Sequence, residues 1–509
     1  MAVFRKIWRQ KKVLFLVGCT VILLGVSDVG KSIFPFTQML QPKRATEENR
    51  EPILKMFVRQ MERHPQPDPW YVMQFVGNGP SWKTQEWNES EPSYILREHS
   101  GWLDTWQQIS PQLFLYSAYW DDRDWVQNAP LVRIFAASST QPNELLTDLT
   151  RAECLMRYEH RELGHLVVRK VNATYAKVTK DNSTEQGYEF ICKDPLGGEE
   201  SPSDVTLTTN KQDESQENTW IKVHQFQASV TQTSEEPTFG VCVKPLTSEL
   251  SKVPNVAWQI ADFIAYYQVL GASKFTFYDD GCPASVRRII YDLSNEGLPV
   301  QLLPWSVDLK DLKLTWRSYS DNVVMSAQDC VYRNMYKQQY TLVVGVDQFV
   351  VPRSNSSLSG LIQDLSQAVE GYFADVRFAH ALFCTNYPDK AVREVQFPLL
   401  SHKKTYRRQI SEAYQGSQYL AKTEAVEWAG ANVVSKRKIL TPVKWVATDV
   451  ALLHQYAEAQ GPSLQCGIFN EDQSANLVVE DNQLPLGYGT NVTNLISQWQ
   501  KYLSVTNAA

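Results

Sequence analysis

The chain has 509 residues, of which 21% are charged and 43% hydrophobic, and this length predicts two or three domains with substantial cores. The net charge of -6 and the pI near 5.9 argue against a nucleic-acid partner and against broad adhesion to anionic membranes. Neither G-x-S-x-G nor H-E-x-x-H occurs in the sequence. A secreted hydrolase of either type is therefore poorly supported.

The amino terminus has the pattern of a membrane-targeting segment. An apolar run at residues 13–26 is preceded by no acidic residue and by five basic ones, namely Arg5, Lys6, Arg9, Lys11 and Lys12. This charge placement predicts a cytoplasmic tail at residues 1–12 and a transmembrane signal anchor at 13–29. Because the run is short, a cleaved signal peptide is the competing interpretation, although Gly25-Val26-Ser27 is a weak cleavage site.

Sequons and cysteines agree with a luminal body. N-x-[ST] sequons follow the anchor at Asn88, Asn172, Asn182, Asn355 and Asn491. Beyond Cys19 the cysteines are odd in number: Cys154, Cys192, Cys242, Cys282, Cys330, Cys384 and Cys466. In an oxidising lumen some of them should pair, and at least one should stay free or bridge two chains. None has C-x-x-C spacing, which argues against a zinc site.

Composition divides the remainder of the chain. Residues 30–104 are rich in Pro, Gln and charged side chains and predict a stem. Residues 105–236 predict a small β-rich domain, with strands at 113–119, 131–137, 165–171, 188–192 and 221–230 and a flexible loop at 193–218. Residues 237–480 form the main domain, and 481–509 a C-terminal tail with a helical pattern at 492–503.

The main domain alternates between strand and helix patterns. Strands are predicted in FGVCVKPL and at 274–278, 300–305 and 340–346, with helices at 260–270, 286–293 and 320–338; residues 443–451 are also strand-like. This alternation predicts an α/β fold with a mainly parallel sheet covered by helices.

Two residues are candidate metal ligands. Asp347 follows the buried strand YTLVVGV, and an ionised carboxylate there needs a counter-charge such as a divalent cation on a diphosphate. The alternative is an Asp bonded to loop backbone. His454, in VALLHQYAE, can complete such a site as a neutral imidazole. The alternative for His454 is a histidine satisfied within the core.

Two further groups of residues are candidates for binding a nucleotide. Asp279 and Asp280 end a predicted parallel strand before Gly281, at the edge where such sheets bind ligands, and a carboxylate there can accept from uracil or ribose. A plain Asp-Gly turn with a helix N-cap is the alternative. Lys436 and Lys438, in SKRKILTP, could neutralise a diphosphate or form a solvated strand edge.

Three further residues have side chains suited to sugar stacking or proton transfer. Trp428 could stack on a sugar face or pack in the core. Glu424 and Glu427 are the nearby acids that could deprotonate an acceptor hydroxyl group.

At these residues the chain resembles glycosyltransferase family 92. The matching pieces are FGVCVKPL, IADFIAYYQVLGASKFTFYDDG, AQDC, VDQFVVP and SKRKILTP…LLHQYAE, and LYSAYWDDR with PLVRIFAAS resembles the family's amino-terminal β region. The resemblance covers roughly residues 110–460. It implies a GT-A (Rossmann-like) fold, UDP-galactose as donor, Mn²⁺ as cofactor and a single-pass type II protein of the Golgi membrane. The reaction implied is inverting β1,4 transfer of galactose to galactose or fucose on glycoprotein N-glycans, and a homodimer is plausible by analogy.

By the same resemblance, Asp347 is the surviving acid of a D-x-D-type motif, His454 is the late histidine ligand, and Asp279 and Asp280 hold the nucleoside. The sequence departs from the family pattern, because Gly345 replaces the first acid and Gln348 replaces a Glu. Weaker metal binding is expected. A second hypothesis follows from this change: a catalytically inactive luminal relative that binds glycans.

Overall fold

The computed structural model describes residues 70–72, 95–97, 106–110, 112–138, 152–160, 165–177, 187–208, 219–225, 236–309, 312–314, 319–353, 357–368, 373–390, 396–409, 418–438, 441–457, 466 and 478–505. All of them belong to one compact unit, Arg59–Ala509. The predicted tail and signal anchor lie outside the described residues, as does nearly all of the predicted stem. Within the described part, no helix is long and apolar enough to cross a membrane.

The first strands in chain order are β1 (Trp70–Val72), β2 (Ile95–Arg97), β3 (Gln107–Ser110), β4 (Leu113–Asp121), β5 (Leu131–Ser138), β6 (Glu153–His160), β7 (His165–Lys177), β8 (Gly187–Lys193), β9 (Asp204–Thr208) and β10 (Ile221–His224). Strands β3 to β10 form one sheet in the order β10-β9-β6-β7-β8-β5-β4-β3, and β10 also pairs with β4. The sheet therefore closes on itself around its own apolar core, which removes most of the exposed strand edge.

The following part alternates helices and strands. Its strands are β11 (Phe239–Val243), β12 (Leu246–Thr247), β13 (Ala272–Asp280), β14 (Val300–Pro304), β15 (Val307–Leu309), β16 (Leu312–Leu314), β17 (Tyr340–Val344), β18 (Gln348–Pro352), β19 (Asp375–Arg377), β20 (Ala379–Cys384), β21 (Tyr406–Arg408), β22 (Tyr419–Lys422), β23 (Val426–Ala429), β24 (Val434–Arg437), β25 (Val443–Trp445), β26 (Ala451–Ala457) and β27 (Val478–Glu480). The helices are α1 (Val256–Val269), α2 (Ala284–Asn295), α3 (Tyr319–Asn334), α4 (Leu358–Ala368), α5 (Leu400–Lys403), α6 (Gln483–Gly487) and α7 (Gly489–Val505), with 3₁₀ turns at Ser248–Lys252 and Thr423–Ala425.

The central sheet of this part has the order β12-β13-β11-β17-β22-β19-β25, with β14 on β13. Strands β14, β13, β11 and β17 run parallel, and β22 runs antiparallel to both β17 and β19. A smaller sheet, β18-β26-β20, continues from the end of β17. The chain is thus a mixed α/β protein, and the predicted alternation of strands and helices between residues 239 and 344 is confirmed.

A buried carboxylate joins the closed sheet to the central one. Asp329 on α3 accepts hydrogen bonds from Ser117 (2.5 Å) and Tyr119 (2.7 Å) of β4, and from Tyr278 (2.6 Å) of β13. Arg333, one helical turn later, pairs with the same carboxylate at 2.5 Å. Because Asp329 has no solvent exposure, the position of the closed sheet depends on these bonds being satisfied together.

Two local predictions were wrong. The predicted loop 193–218 contains strand β9, which is buried between β6 and β10 because Val205 and Leu207 alternate toward the core. The strand-like region 443–451 is divided, because β25 ends at Trp445 and β26 begins at Ala451. The predicted strand 221–230 is present only as β10 within the described residues.

The cysteine prediction is confirmed. Among the described residues, disulfides join Cys154 to Cys192, Cys242 to Cys330 and Cys384 to Cys466, and buried Cys282 is free. The sequons of Asn88, Asn182 and Asn355 lie outside the described residues. Asn172 is exposed on β7, and Asn491 is half-buried on α7.

Candidate functional site

The parallel strands of the central sheet end at one edge, where their polar residues meet. Lys244 follows β11, Asp279 and Asp280 end β13, and Asp347 lies three residues after β17. The register aligns Val243 with Val344 across β11 and β17. This carboxyl edge is where open α/β sheets bind ligands, because helix amino termini and loops converge there.

Asp347 lies in a tight turn between β17 and β18. Its Oδ2 accepts a hydrogen bond from the side-chain amide of Gln455 at 2.7 Å. A Cβ atom at Gly345 would come within 2.6 Å of Asp347 Oδ1, so the carboxylate occupies the space that a side chain at position 345 would need. Gln348 Oε1 accepts from the Gly345 amide at 2.7 Å. Burial raises the pKa of Asp347, while Gln455 and Lys244 act to lower it.

Lys244 supplies positive charge beside Asp347. Its Nζ donates to Asn432 Oδ1 at 3.0 Å, in the turn between β23 and β24. Burial lowers the pKa of Lys244 to about 8, and the charge of Asp347 opposes that shift. At neutral pH most of these ammonium groups remain protonated, because the pKa lies above 7.

His380 is the histidine on the Asp347 side of the smaller sheet. It lies on β20 beside β26, and its pKa is lowered by burial but raised by Gln455 and by the charge of Asp347. Its Nε2 is buried without a hydrogen-bond partner. A neutral imidazole with an unpartnered nitrogen near a carboxylate has the chemistry of a metal ligand.

His454 faces the other way. It neighbours Gln455 on β26, and successive strand residues point to opposite faces of the sheet. Its ring lies 4.5 Å from that of Phe383, and its Nε2 is 4.0 Å from Asp481. Burial lowers the pKa of His454 to about 3, so the ring is neutral. The structure does not bring Asp347 and His454 together.

Asp279 and Asp280 lie at the expected edge, with different partners. Asp279 accepts from the Cys282 amide at 2.9 Å and pairs with Arg287 of α2 at 3.0 Å. These bonds match the structural alternative, a turn that leads into a helix. Asp280 is half-buried and accepts from Asn322 at 2.6 Å, and burial raises its pKa.

The remaining candidates lie in or near the β23–β24 hairpin. Glu427 is buried and bound by Lys436 at 2.5 Å and Arg133 at 3.4 Å. Glu424 pairs with Lys422 at 2.8 Å, and Lys422 aligns with Tyr340 at the start of β17.

Glu424 and Lys438 are therefore at the amino edge of the sheet, together lining a cleft. Trp428 is half-buried opposite Lys436 in the hairpin stem. The structure brings none of these five hairpin residues beside Asp347.

Sequence reasoning missed Lys244, His380, Asn432, Gln455 and Trp445. Lys244 was visible in FGVCVKPL, as a charge directly after a buried strand. Trp445 is 41% exposed at the end of β25, with the Arg377 guanidinium 5.4 Å from its ring. The other residues carry no sequence signal, because only the pairing of β20, β26 and the hairpin with the main sheet places them at this edge.

Few protein side chains at this edge could bind a divalent cation. In the described part of the chain, no three His, Cys, Asp or Glu side chains come together as a metal site. Asp347 and the unpartnered Nε2 of His380 fit as two protein ligands, and a nucleotide diphosphate and water would have to supply the others.

One of the comparisons with known proteins assigns a family to the region that contains this edge. No curated protein matched the chain. The family model described as glycosyltransferase family 92 matches residues 237–476, a span that contains Lys244, Asp347, His380 and Gln455. Residues 237–476 therefore form a glycosyltransferase family 92 region.

Proposed function

We propose that this chain is an inverting galactosyltransferase of GT-A type that uses UDP-galactose. Its acceptor would be galactose or fucose on glycoprotein N-glycans, and its site of action the Golgi lumen, as a single-pass type II membrane protein. Family membership supports glycosyl transfer. The observation that best supports catalysis is the group of Lys244, Asp347 and His380 at the carboxyl edge of the sheet.

The site has to stabilise the negative charge that develops on the departing diphosphate. The bond between sugar C1 and the diphosphate oxygen breaks as the acceptor oxygen attacks C1 from the opposite face, the proton of the acceptor hydroxyl group passes to water, and negative charge grows on the leaving UDP. The ammonium group of Lys244, held by Asn432, would stabilise that charge in a partly desolvated site. Asp280, at the end of β13, would accept from the uracil or the ribose.

Asp347 and His380 would hold Mn²⁺ when the nucleotide binds. The bound metal would add positive charge at the diphosphate. Gln455 orients Asp347 through its 2.7 Å hydrogen bond, and neutral His380 is available as a ligand because burial lowers its pKa. Trp445 is an exposed aromatic surface at the same edge for an acceptor sugar.

A specific observation favours the second hypothesis, a glycan-binding relative without activity. The motif has Gly345 where an acid is expected, and Asp347 Oδ1 fills the space that a side chain would take. The protein then offers one carboxylate to a metal at this turn. Nucleotide binding and turnover therefore have to be measured separately.

The experiment uses the purified full-length chain and a panel of UDP-sugars, with Mn²⁺ or with EDTA. Acceptors are N-glycans that end in galactose or fucose. We expect metal-dependent consumption of UDP-galactose and extension of the acceptor. The Asp347→Asn variant should lose about 100-fold or more in kcat/KM, whereas the exposed control Asp449→Asn should not. Near-normal transfer by folded Asp347→Asn would refute the proposed role of Asp347. Silence across all donors from a folded protein would favour the glycan-binding alternative.

A further inference from the structure

A cleft on the opposite edge of the central sheet is not used by the proposed reaction. It has a volume of about 320 Å³ and lies between the β4–β5 turn and the region around Glu424. Its lining includes Tyr336, four residues before β17, and Thr441, two residues before β25. These elements mark the amino edge of the sheet. At ~3.3 Å per strand residue, the cleft is roughly 20 Å from Asp347.

A buried arginine, Arg123, forms the floor of the cleft. Arg123 pairs with Asp121 at 2.8 Å and donates from Nη1 to the carbonyl oxygens of Glu424 (3.0 Å) and Val426 (2.6 Å). One side chain thus joins the β4–β5 turn to the far wall. The Arg123 guanidinium also lies 4.8 Å from the ring centroid of Trp125, and this contact supports the ring from one side.

The lining combines aromatic surface with balanced charge. Trp125, Tyr336 and Phe373 contribute rings. The charged lining residues are equal in number by sign: Asp122, Asp124 and Glu424 against Arg123, Lys422 and Lys438. Asp122 and Asp124 are exposed, so their carboxylates can accept hydrogen bonds from a ligand. A ligand of strong net charge gains little from such a balanced surface.

We propose that this cleft binds a neutral oligosaccharide as a second glycan site, separate from the transfer site. Sugar hydroxyl groups both donate and accept hydrogen bonds, which suits a lining of carboxylates and ammonium groups. The C–H face of a pyranose ring is apolar and suits an indole face. The volume is at the lower end of the usual range for ligand pockets, roughly 300–1,000 Å³, and accommodates the end of a glycan chain.

The site would hold a second branch or a neighbouring glycan of the same glycoprotein while transfer proceeds elsewhere. Such a tether raises the effective concentration of the acceptor without new contacts at the reacting centre. Because binding at the cleft needs neither nucleotide nor metal, it can be tested even if the proposed transferase activity is absent.

The experiment titrates the full-length chain with fluorescently labelled, neutral, galactose-terminated biantennary N-glycan, in EDTA and without nucleotide. We expect saturable binding that weakens about tenfold or more in Trp125→Ala. The matched control is Trp220→Ala. Trp220 is also half-buried and has the Arg157 guanidinium 3.9 Å from its ring centroid, but it does not line the cleft. Asp124→Asn, an exposed and conservative change, should weaken binding and leave the melting temperature unchanged.

Each outcome decides the proposal. Loss of binding in Trp125→Ala and Asp124→Asn, with Trp220→Ala unaffected, supports it. Equal binding by Trp125→Ala and the unmodified chain shows that the glycan occupies another surface and overturns it. Preferential binding of a sulfated glycan or of UDP at the cleft would also overturn it, because the ligand would then be an anion.

Discussion

Asp262 tests how much the burial of an incompletely hydrogen-bonded carboxylate lowers the stability of this fold. It lies on α1 with a relative exposure of 2%, and its Oδ2 accepts a hydrogen bond from Ser401 Oγ of α5 at 2.6 Å. Its Oδ1 has no hydrogen-bond partner. Burial raises the pKa of Asp262 to about 7, although Ser401 acts to lower it. We predict that Asp262→Asn stabilises the protein at pH 8.

The magnitude follows from proton linkage. Well below pH 4 the carboxyl group is protonated in both the folded and the unfolded chain, so it adds no ionisation cost to the free energy of unfolding. Between about pH 4 and pH 7 the unfolded chain ionises first, so stability falls as the pH rises and is lowest above the folded pKa. The shift from 3.8 to about 7 corresponds to roughly 4 kcal/mol at ~1.4 kcal/mol per unit. An unpaired amide N–H in the variant costs about 1 kcal/mol or more, so the net gain at pH 8 is roughly 2–3 kcal/mol.

The assay is urea unfolding followed by tryptophan fluorescence, from about pH 4 to pH 8, for the unmodified chain, Asp262→Asn and the exposed control Asp449→Asn. The advantage of Asp262→Asn should be largest at pH 8, shrink as the pH falls and reverse near pH 4 to a deficit of about 1–2 kcal/mol, the cost of the unpaired amide, while Asp449→Asn follows the unmodified chain. Differences between variants isolate this group from buried histidines such as His454, whose lowered pKa acts in the opposite sense. Parallel pH profiles for Asp262→Asn and the unmodified chain would show that Asp262 is ionised in the fold and refute the reasoning.

Three further predictions concern the described contacts. Asp329→Ala should lower the free energy of unfolding by about 3–5 kcal/mol, because it removes the buried carboxylate that pairs with Arg333 and accepts hydrogen bonds from Ser117, Tyr119 and Tyr278; urea unfolding that changes by under ~1 kcal/mol would contradict this. Gly345→Ala should reduce kcat about tenfold or more in a folded protein, because the new methyl group displaces the Asp347 carboxylate; unchanged kcat would show that this carboxylate position is not needed. His380→Ala should raise the Mn²⁺ concentration needed for UDP binding by roughly 10–100-fold, whereas His454→Ala should lower the melting temperature and leave that concentration unchanged; the reverse result would support His454 as the metal ligand instead.

Local pattern was sufficient for the central architecture. Apolar runs that end in Asp280 and Asp347 predict parallel strands with polar carboxyl ends, because periodicity reports burial and a charge after a buried strand has few structural uses. The three disulfides seen among the described residues, with Cys282 free, agree with the parity of the cysteine count. Sequence could not predict which cysteines pair, because pairing depends on distance across the folded chain.

Tertiary structure decided which residues share the site. His380 and His454 both lie in apolar strand segments, and sequence reasoning named only His454 as a metal ligand. The pairing of β20 with β26 places His380 on the Asp347 side of the smaller sheet and turns His454 toward Asp481. From the sequence, Glu427 was a candidate base, but in the structure the closed sheet places Arg133 3.4 Å from its carboxylate. Hydrophobic periodicity thus determined the strands and the edge where they end. Strand register and packing between sheets, which set side-chain neighbours far apart in sequence, determined the chemistry at that edge.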